Sequence, residues 1–429
     1  MVAGVLALSF PAPAAAQELE SPAVTALRRA VQRSHPELSA RRTLVEAAEA
    51  RVRASGFGDP AALSAEVEEV PGGVDLSGAS LRVEVGKEFV SGRRRDAERT
   101  LAATDVRAAQ AALEAAGARL DAAALRSLTA AAGWSAISRR LGGEDSLLVS
   151  AEEGLRARFS VGEARYVDVL RLRTERLRVQ TEQAQAAAKS RSARLALLSL
   201  LGPAEPRDSL VDPAIAETAR RLGATALPDA PDLDTLLARS GAVRQAEAAV
   251  ERARAVRSLT AAEQRPRLSG AVGLQRFGAG EGGGGTVGAT LGGSVTLPFT
   301  ARRANAATLA VADGEIAAAV GQRDATLAAV RAELAAARER YETARVRLAV
   351  FDAALLRGAR EEREAALAAF RAGDLTLIEL LDFERALTRA ETERLRSLLD
   401  AADALADLLG GGSGAPNHDD SASAHGREP

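Results

Sequence analysis

The sequence predicts a mainly α-helical chain with a transmembrane β portion, arranged as a tandem repeat of long helical hairpins. Three observations carry that expectation. The phrase FSVGEARYVDVLRLRTERLRVQTEQ, starting at Phe159, returns as FRAGDLTLIELLDFERALTRAETERL, starting at Phe370. The stretches of about 66 and about 68 residues ahead of the two phrases carry a seven-residue apolar repeat. Four segments of about ten residues alternate apolar with polar or small side chains, while no run of about twenty apolar residues offers a membrane-spanning helix.

Composition narrows the function classes. Aromatic residues make up 3% of the 429, and alanine is everywhere, so there is little bulk for several conventional cores and thin, close-packed helices fit better. Lys+Arg number 56 against 58 Asp+Glu, a formal charge of -2 without a basic stripe, and a nucleic-acid partner is not expected. The chain has no Cys, hence no disulfide framework, thiolate metal site or lipid-anchoring cysteine. Its three histidines, His35, His418 and His425, leave almost no material for a catalytic or metal-binding constellation, so neither an enzyme nor a cofactor is expected.

The elements follow in order. Residues 1–16 hold the apolar run Val2 to Phe10 and then Ala14-Ala15-Ala16, a small-residue cleavage pattern, and read as a signal peptide. Residues 17–202 form the first repeat: a helix from about Ser21 to Ser55, a β-hairpin at about 63–90, a long helix, a tip turn at about 159–162 and a returning helix. Residues 203–232, rich in Pro, Asp and Gly, read as a linker or equatorial segment. Residues 233–409 repeat the order, with a helix from Leu233 to Ala262, a hairpin at about 266–299 and a tip turn at about 370–373. Residues 410–429 read as a disordered tail. The halves align at an offset of about 211, so that Phe159 matches Phe370, Gly162 matches Gly373 and Asp168 matches Glu379.

The long helices have coiled-coil seams. Val106, Leu113, Leu120, Ser127, Trp134 and Leu141 recur at seven, interleaved with Ala102, Ala109, Ala116, Ala123, Ala130 and Ile137; small residues on the second row let backbones approach closely. In the second half Leu327, Leu334, Tyr341, Leu348 and Leu355 recur at seven, interleaved with Val330, Ala337, Ala344, Phe351 and Gly358. At 1.5 Å per residue each helix runs on the order of 100 Å, more than a globular domain requires.

In the hairpins Leu81, Val83 and Val85 alternate with Arg82, Glu84 and Gly86, and Val287, Ala289, Leu291, Val295 and Leu297 alternate with small or polar residues. Strands of about ten residues with one apolar face suit a tilted transmembrane β-strand, with Val83, Val85, Leu291 and Val295 toward lipid and Phe57, Phe89, Phe277 and Phe299 near its borders. Four strands cannot close a barrel, so further copies must finish the sheet. Two hairpins packed on a soluble helical bundle would show the same periodicity.

The order signal, helix, hairpin, long helix, Phe-x-x-Gly turn and returning helix, all duplicated, resembles the TolC family of outer-membrane efflux and secretion channels over about Ser21 to Leu409. FRAGDLTLIELLDFERAL resembles that family's aromatic-x-x-Gly-x-x-x-x-x-Asp-x-Leu-Asp phrase, and SVTLPFTARRANAATLA resembles its strand-to-helix Leu-Pro-Phe with a basic pair. AEVEEVPGG with LRVEVGKEFVSGRRR resembles the first hairpin of the CzcC-type cation-efflux branch. The resemblance implies a homotrimer whose four strands per chain form a 12-stranded outer-membrane β-barrel and whose helices form a periplasmic α-barrel. It implies a passive exit duct coupled to an inner-membrane pump through a periplasmic adaptor. Phe159, Gly162, Phe370 and Gly373 then belong to the tip turns that meet the adaptor. Glu379 and Asp382, with Asp168, fall on the positions that ring the periplasmic gate, although Leu375 stands where better-known members place an Arg latch and Phe370 lacks a hydroxyl. Solvated acids favoured at a helix start would look the same in sequence. The competing readings are a periplasmic adaptor, which would carry one hairpin and a lipoyl-like β-domain, and a structural coiled-coil protein of the envelope. The cargo, whether metal ions, drugs or a secreted protein, is open at this point.

Overall fold

The computed structural model describes residues 21–55, 60–68, 80–203, 205–222, 227–276, 286–297, 302–372 and 374–410. The signal peptide, Phe57, Phe277, Phe299, Gly373 and residues 411–429 of the tail lie outside them. Two compact units are defined, Met1–Ser39 with Glu114–Ala242 and Leu327–Pro429, and Ala40–Leu113 with Val243–Thr326.

The first repeat opens with α1 (Pro22–Ser34) and α2 (Pro36–Ala54) where one helix was expected. Ser21 caps α1 by accepting from the Val24 N–H at 3.2 Å, and Pro22 is preorganised for the first turn. Val24, Leu27, Ala30 and Val31 form its buried stripe. The break falls at His35, held extended (φ -65, ψ 127) because the ring of Pro36 excludes the helical region for the residue before it. Strands β1 (Ala62–Glu68) and β2 (Ser80–Phe89) follow, then the 69-residue α3 (Gly92–Ser160) and α4 (Tyr166–Ser199).

The segment expected to be a linker contains a further helix, α5 (Arg207–Arg221), with Val211, Ala214 and Thr218 buried along one side. Pro213 inside it gives up one backbone donor, and burial of that stripe outweighs the loss. The second repeat starts with α6 (Leu233–Arg239) and α7 (Gly241–Glu263), again two helices in place of one, parted at the extended Ser240. Strands β3 (Arg267–Arg276) and β4 (Val287–Thr296) lead into α8 (Arg302–Val350), a π-helical turn at Phe351–Leu355, α9 (Leu356–Ala372) and α10 (Leu377–Leu409).

The π turn corrects the predicted seam. Leu334, Tyr341 and Leu348, with Val330, Ala337 and Ala344, are buried as the heptad requires. One heptad later Leu355 is 48% exposed and Leu356 is 6% exposed, because the wider turn inserts one residue and advances the buried face by one position. In α3 the seam holds at Ala102, Ala116, Leu120, Ile137 and Leu141, all buried, but between them Ala123, Ser127, Ala130 and Trp134 are half-buried, and Ala124, Leu128 and Ala131, one position on from the first three, are buried instead. Ile137, Leu141, Leu148 and Leu155 of α3 pack with Val169, Leu172 and Val179 of α4 and with Leu381 and Leu399 of α10 in one apolar cluster. Gly133 allows the closest approach there: a Cβ at that position would sit 2.4 Å from Leu399 Cδ2. Tyr341 is fully buried and donates its hydroxyl hydrogen to the Pro228 carbonyl at 2.8 Å, and burial pushes its phenol up to about 12.

The four strands make one antiparallel sheet in the order β1-β2-β3-β4. Its register aligns Leu63, Val85, Val272 and Leu291 in one row and Phe89, Leu268 and Val295 in another. The outer edges of β1 and β4 pair with no strand among the described residues.

Candidate functional site

The sheet is inverted relative to a soluble protein. Leu63, Val67, Leu81, Val83, Val85, Val272, Leu274, Val287, Leu291 and Val295 share one face and are all exposed, Leu291 at 87%. The opposite face holds small and polar residues, and along β2 it is the better covered of the two. There the Arg82 guanidinium donates to Gln275 Oε1 at 3.0 Å and lies 3.8 Å from Glu84, the Thr290 hydroxyl donates to Glu84 at 3.3 Å, and Ser269 and Ser294 share a hydrogen bond of 2.7 Å. A face of branched aliphatic chains turned outward, with polar groups satisfying one another behind it, matches a surface solvated by lipid and a wet interior.

At the first tip turn, α3 ends in a Schellman motif. Gly162 has φ +82; its N–H donates to the Phe159 carbonyl at 3.0 Å, and the Glu163 N–H donates to the Arg158 carbonyl at 2.8 Å. A Cβ on Gly162 would meet open space, so the requirement is conformational, not steric contact with a neighbour. At the second turn the Asp374 N–H donates to the Ala369 carbonyl at 2.9 Å, the repeat equivalent of the Glu163 bond. The turns differ in surface. Phe159, Val161, Tyr166 and Val167 are exposed, the Phe159 and Tyr166 rings 5.5 Å apart, whereas Phe370, Leu375, Leu377 and Ile378 are half-buried. Sequence reasoning treated the tips as equivalent; Val161, where the second phrase has Ala372, was the signal of the difference.

The three acids proposed for the gate already have partners. Glu379 is in the first turn of α10 and forms a capping box with Thr376, whose N–H donates to Glu379 Oε2 at 2.8 Å while the Glu379 N–H donates to the Thr376 hydroxyl at 3.3 Å. The Thr376 hydroxyl, donating to the same carboxylate, holds its pKa below the usual range. Asp382, one turn on, accepts from Arg385 at 2.9 Å. Arg385 is nearly buried and lies 3.9 Å from Glu175 of α4, so it also ties the two returning helices together. Asp168, in the first turn of α4, accepts from Arg165 Nε at 3.0 Å. Glu379 and Asp382 are thus brought onto one exposed helix start, and Asp168 occupies the equivalent place on α4. Arg385 was missed by sequence reasoning; its spacing of three from Asp382 was the available signal.

Among the described residues no cluster of three His, Cys, Asp or Glu is placed to hold a metal ion, and no helix is long and apolar enough to cross a membrane.

A duplicated pair of long helical hairpins, each carrying two strands of one sheet with its apolar side outward, is the protomer fold of TolC-like outer-membrane channels, and this chain has that fold. Among solved structures it is similar to the outer-membrane channel OprN, at 21% identity and a TM-score of 0.73 over 93% of this chain and 92% of that one. It is also similar to the CmeC outer membrane channel of Campylobacter jejuni, at 15% identity and a TM-score of 0.70 over 92% and 87%. A third is the open state of the MtrE outer membrane channel of Neisseria gonorrhoeae, at 21% identity and a TM-score of 0.69 over 91% and 89%. No protein-family model and no curated protein matches the chain.

Proposed function

We propose that the chain is the outer-membrane channel of a tripartite efflux or secretion system: a homotrimer that serves as a passive exit duct, coupled to an inner-membrane pump through a periplasmic adaptor. The observation that carries this reading is the inverted sheet with two unpaired edges. An apolar face of that size is unfavourable in water, and open edges invite uncontrolled pairing; three copies joined edge to edge make a closed barrel of twelve strands and remove both problems. The small and polar face then lines a wet lumen, and the long helices continue the duct across the periplasm. No chemistry is required of the chain, because the pump supplies the energy. The tip turns at Phe159–Gly162 and Phe370–Gly373 are the surface offered to the adaptor, and Glu379, Asp382 and Asp168 are the acids of the closed end. An adaptor or a structural coiled coil explains neither the duplicated hairpins nor the outward apolar face. Heat-modified mobility of the protein in membrane fractions tests the reading: a trimer band that collapses to monomer on boiling supports it, and recovery in the soluble fraction contradicts it.

A further inference from the structure

The three chain junctions between the sheet and α3, α7 and α8 lie at one end of the sheet, where Phe89, Leu268 and Val295 form its last fully paired apolar row. That end is crowded with arginine. Arg93, Arg95 and Arg99 open α3, Arg265 follows α7, and Arg302 and Arg303 open α8; all six are exposed, and among the described residues none makes an ion pair. Glu88 and Glu98, the nearby acids that are paired, are both held by Arg94, at 3.6 and 2.9 Å. Asp96 and Glu263 are the remaining acids at these junctions, so cations outnumber anions in a chain whose formal charge is -2. The first turns of α3 and α8 carry no acid, although the helix macrodipole favours acids there and disfavours cations. On the sheet, Lys87 sits one row in from Phe89 on the apolar face, exposed and without an ion-pair partner among the described residues; the other cation of that face, Arg276, stands at the opposite end in the row of Leu81 and Val287.

A belt of uncompensated cations bordering an outward apolar face is complementary to a surface that presents hydrocarbon on one side and negative charge on the other. We propose that these arginines, with Lys87 reaching back toward them along its aliphatic stem, bind the anionic headgroups of glycerophospholipids in the membrane leaflet nearer the helices. The inference rests on the outer-membrane reading above. It selects the phospholipid leaflet and not the lipopolysaccharide leaflet, because the belt is on the helix side of the sheet.

The test is native mass spectrometry of the purified full-length protein released from micelles containing equal amounts of phosphatidylethanolamine and phosphatidylglycerol, with a second arm in which lipid A replaces phosphatidylglycerol. Wild type should retain phosphatidylglycerol in preference, and the preference should weaken as ionic strength rises. The combination Arg93→Gln, Arg95→Gln, Arg302→Gln and Arg303→Gln should lower it by at least about fivefold, while Lys at the same four positions should keep most of it. A Gln variant with wild-type preference, or a wild type that prefers lipid A, overturns the proposal. An inserted trimer without any anionic-lipid preference overturns the belt alone, whereas a protein that inserts into no membrane overturns the channel reading and the belt with it.

Discussion

Leu291→Arg separates a lipid-facing sheet from a water-facing one by the sign of its effect. Leu291 is the middle of the outward row positions 287, 289, 291, 293 and 295 on β4, four residues from either end. At about 3.3 Å per residue and a tilt near 40°, the outward positions reach roughly 10 Å to either side of it, which puts Leu291 near the middle of an apolar band about 25 Å tall. Arginine at that depth costs about 2 to 4 kcal/mol per copy, and three copies in a trimer multiply the effect. If the same face met water, replacing a leucine that is 87% exposed would change stability by less than about 0.5 kcal/mol. The control is Ser64→Arg on β1, an exposed position on the polar face directly across from Glu84, where an arginine gains an opposite charge. Urea unfolding from lipid vesicles, together with trimer yield in the outer-membrane fraction, should show Leu291→Arg strongly depleted and Ser64→Arg close to wild type. Equal behaviour of the two variants would refute the orientation of the sheet.

Other outcomes follow from the turns, the seam and the gate. Gly162→Ala should cost about 1 kcal/mol through the φ +82 backbone alone and weaken crosslinking to the adaptor, with trimer yield unchanged; undiminished crosslinking removes the turn from the docking surface. Tyr341→Phe should cost about 1 kcal/mol in chemical denaturation, because the Pro228 carbonyl loses its donor. Because burial raises the Tyr341 pKa to about 12, the wild-type contribution is complete below pH 10 and is lost as pH rises from about 10 to about 12, so the two proteins should converge there. Glu379→Gln with Asp382→Asn should reduce cation selectivity in planar bilayers, since Gln keeps the capping box while the charge goes; Asp168→Asn should do less, because Arg165 offsets Asp168 as Arg385 offsets Asp382, whereas Glu379 has no ion-pair partner among the described residues. Wild-type selectivity in the double variant would leave the acids as helix-start residues.

The parts of the fold written in periodicity were legible. Alternation located all four strands to within a few residues, and the repeat located the helix-to-helix turns that follow Ser160 and Ala372, with Gly162 in the left-handed backbone that its place after a long helix suggested. What escaped was decided by single contacts. Pro36 breaks the first helix through its ring's effect on His35, a signal present but overridden by the continuous apolar pattern around it. Helix α5 was masked by the Pro and Asp content of its neighbourhood, although Val211, Ala214 and Thr218 already had helical spacing. The π turn has no local signature, since Phe351 and Leu355 fit the uninterrupted heptad as well as their neighbours do; only the packing against other helices selects the inserted residue. The capping role of Glu379 was readable as Thr-x-x-Glu, in line with the helix-start alternative for these acids.

The central claim is that three copies close the sheet edge to edge, and the absence of native cysteine permits a direct measurement. One cysteine placed in β1 and one in β4, scanned over outward positions of the two edge strands, should crosslink only between chains under oxidation in the outer membrane. The account predicts a ladder of monomer, dimer and trimer that stops at three. A ladder that continues past three, closure within one chain, or no crosslink at any register would contradict it.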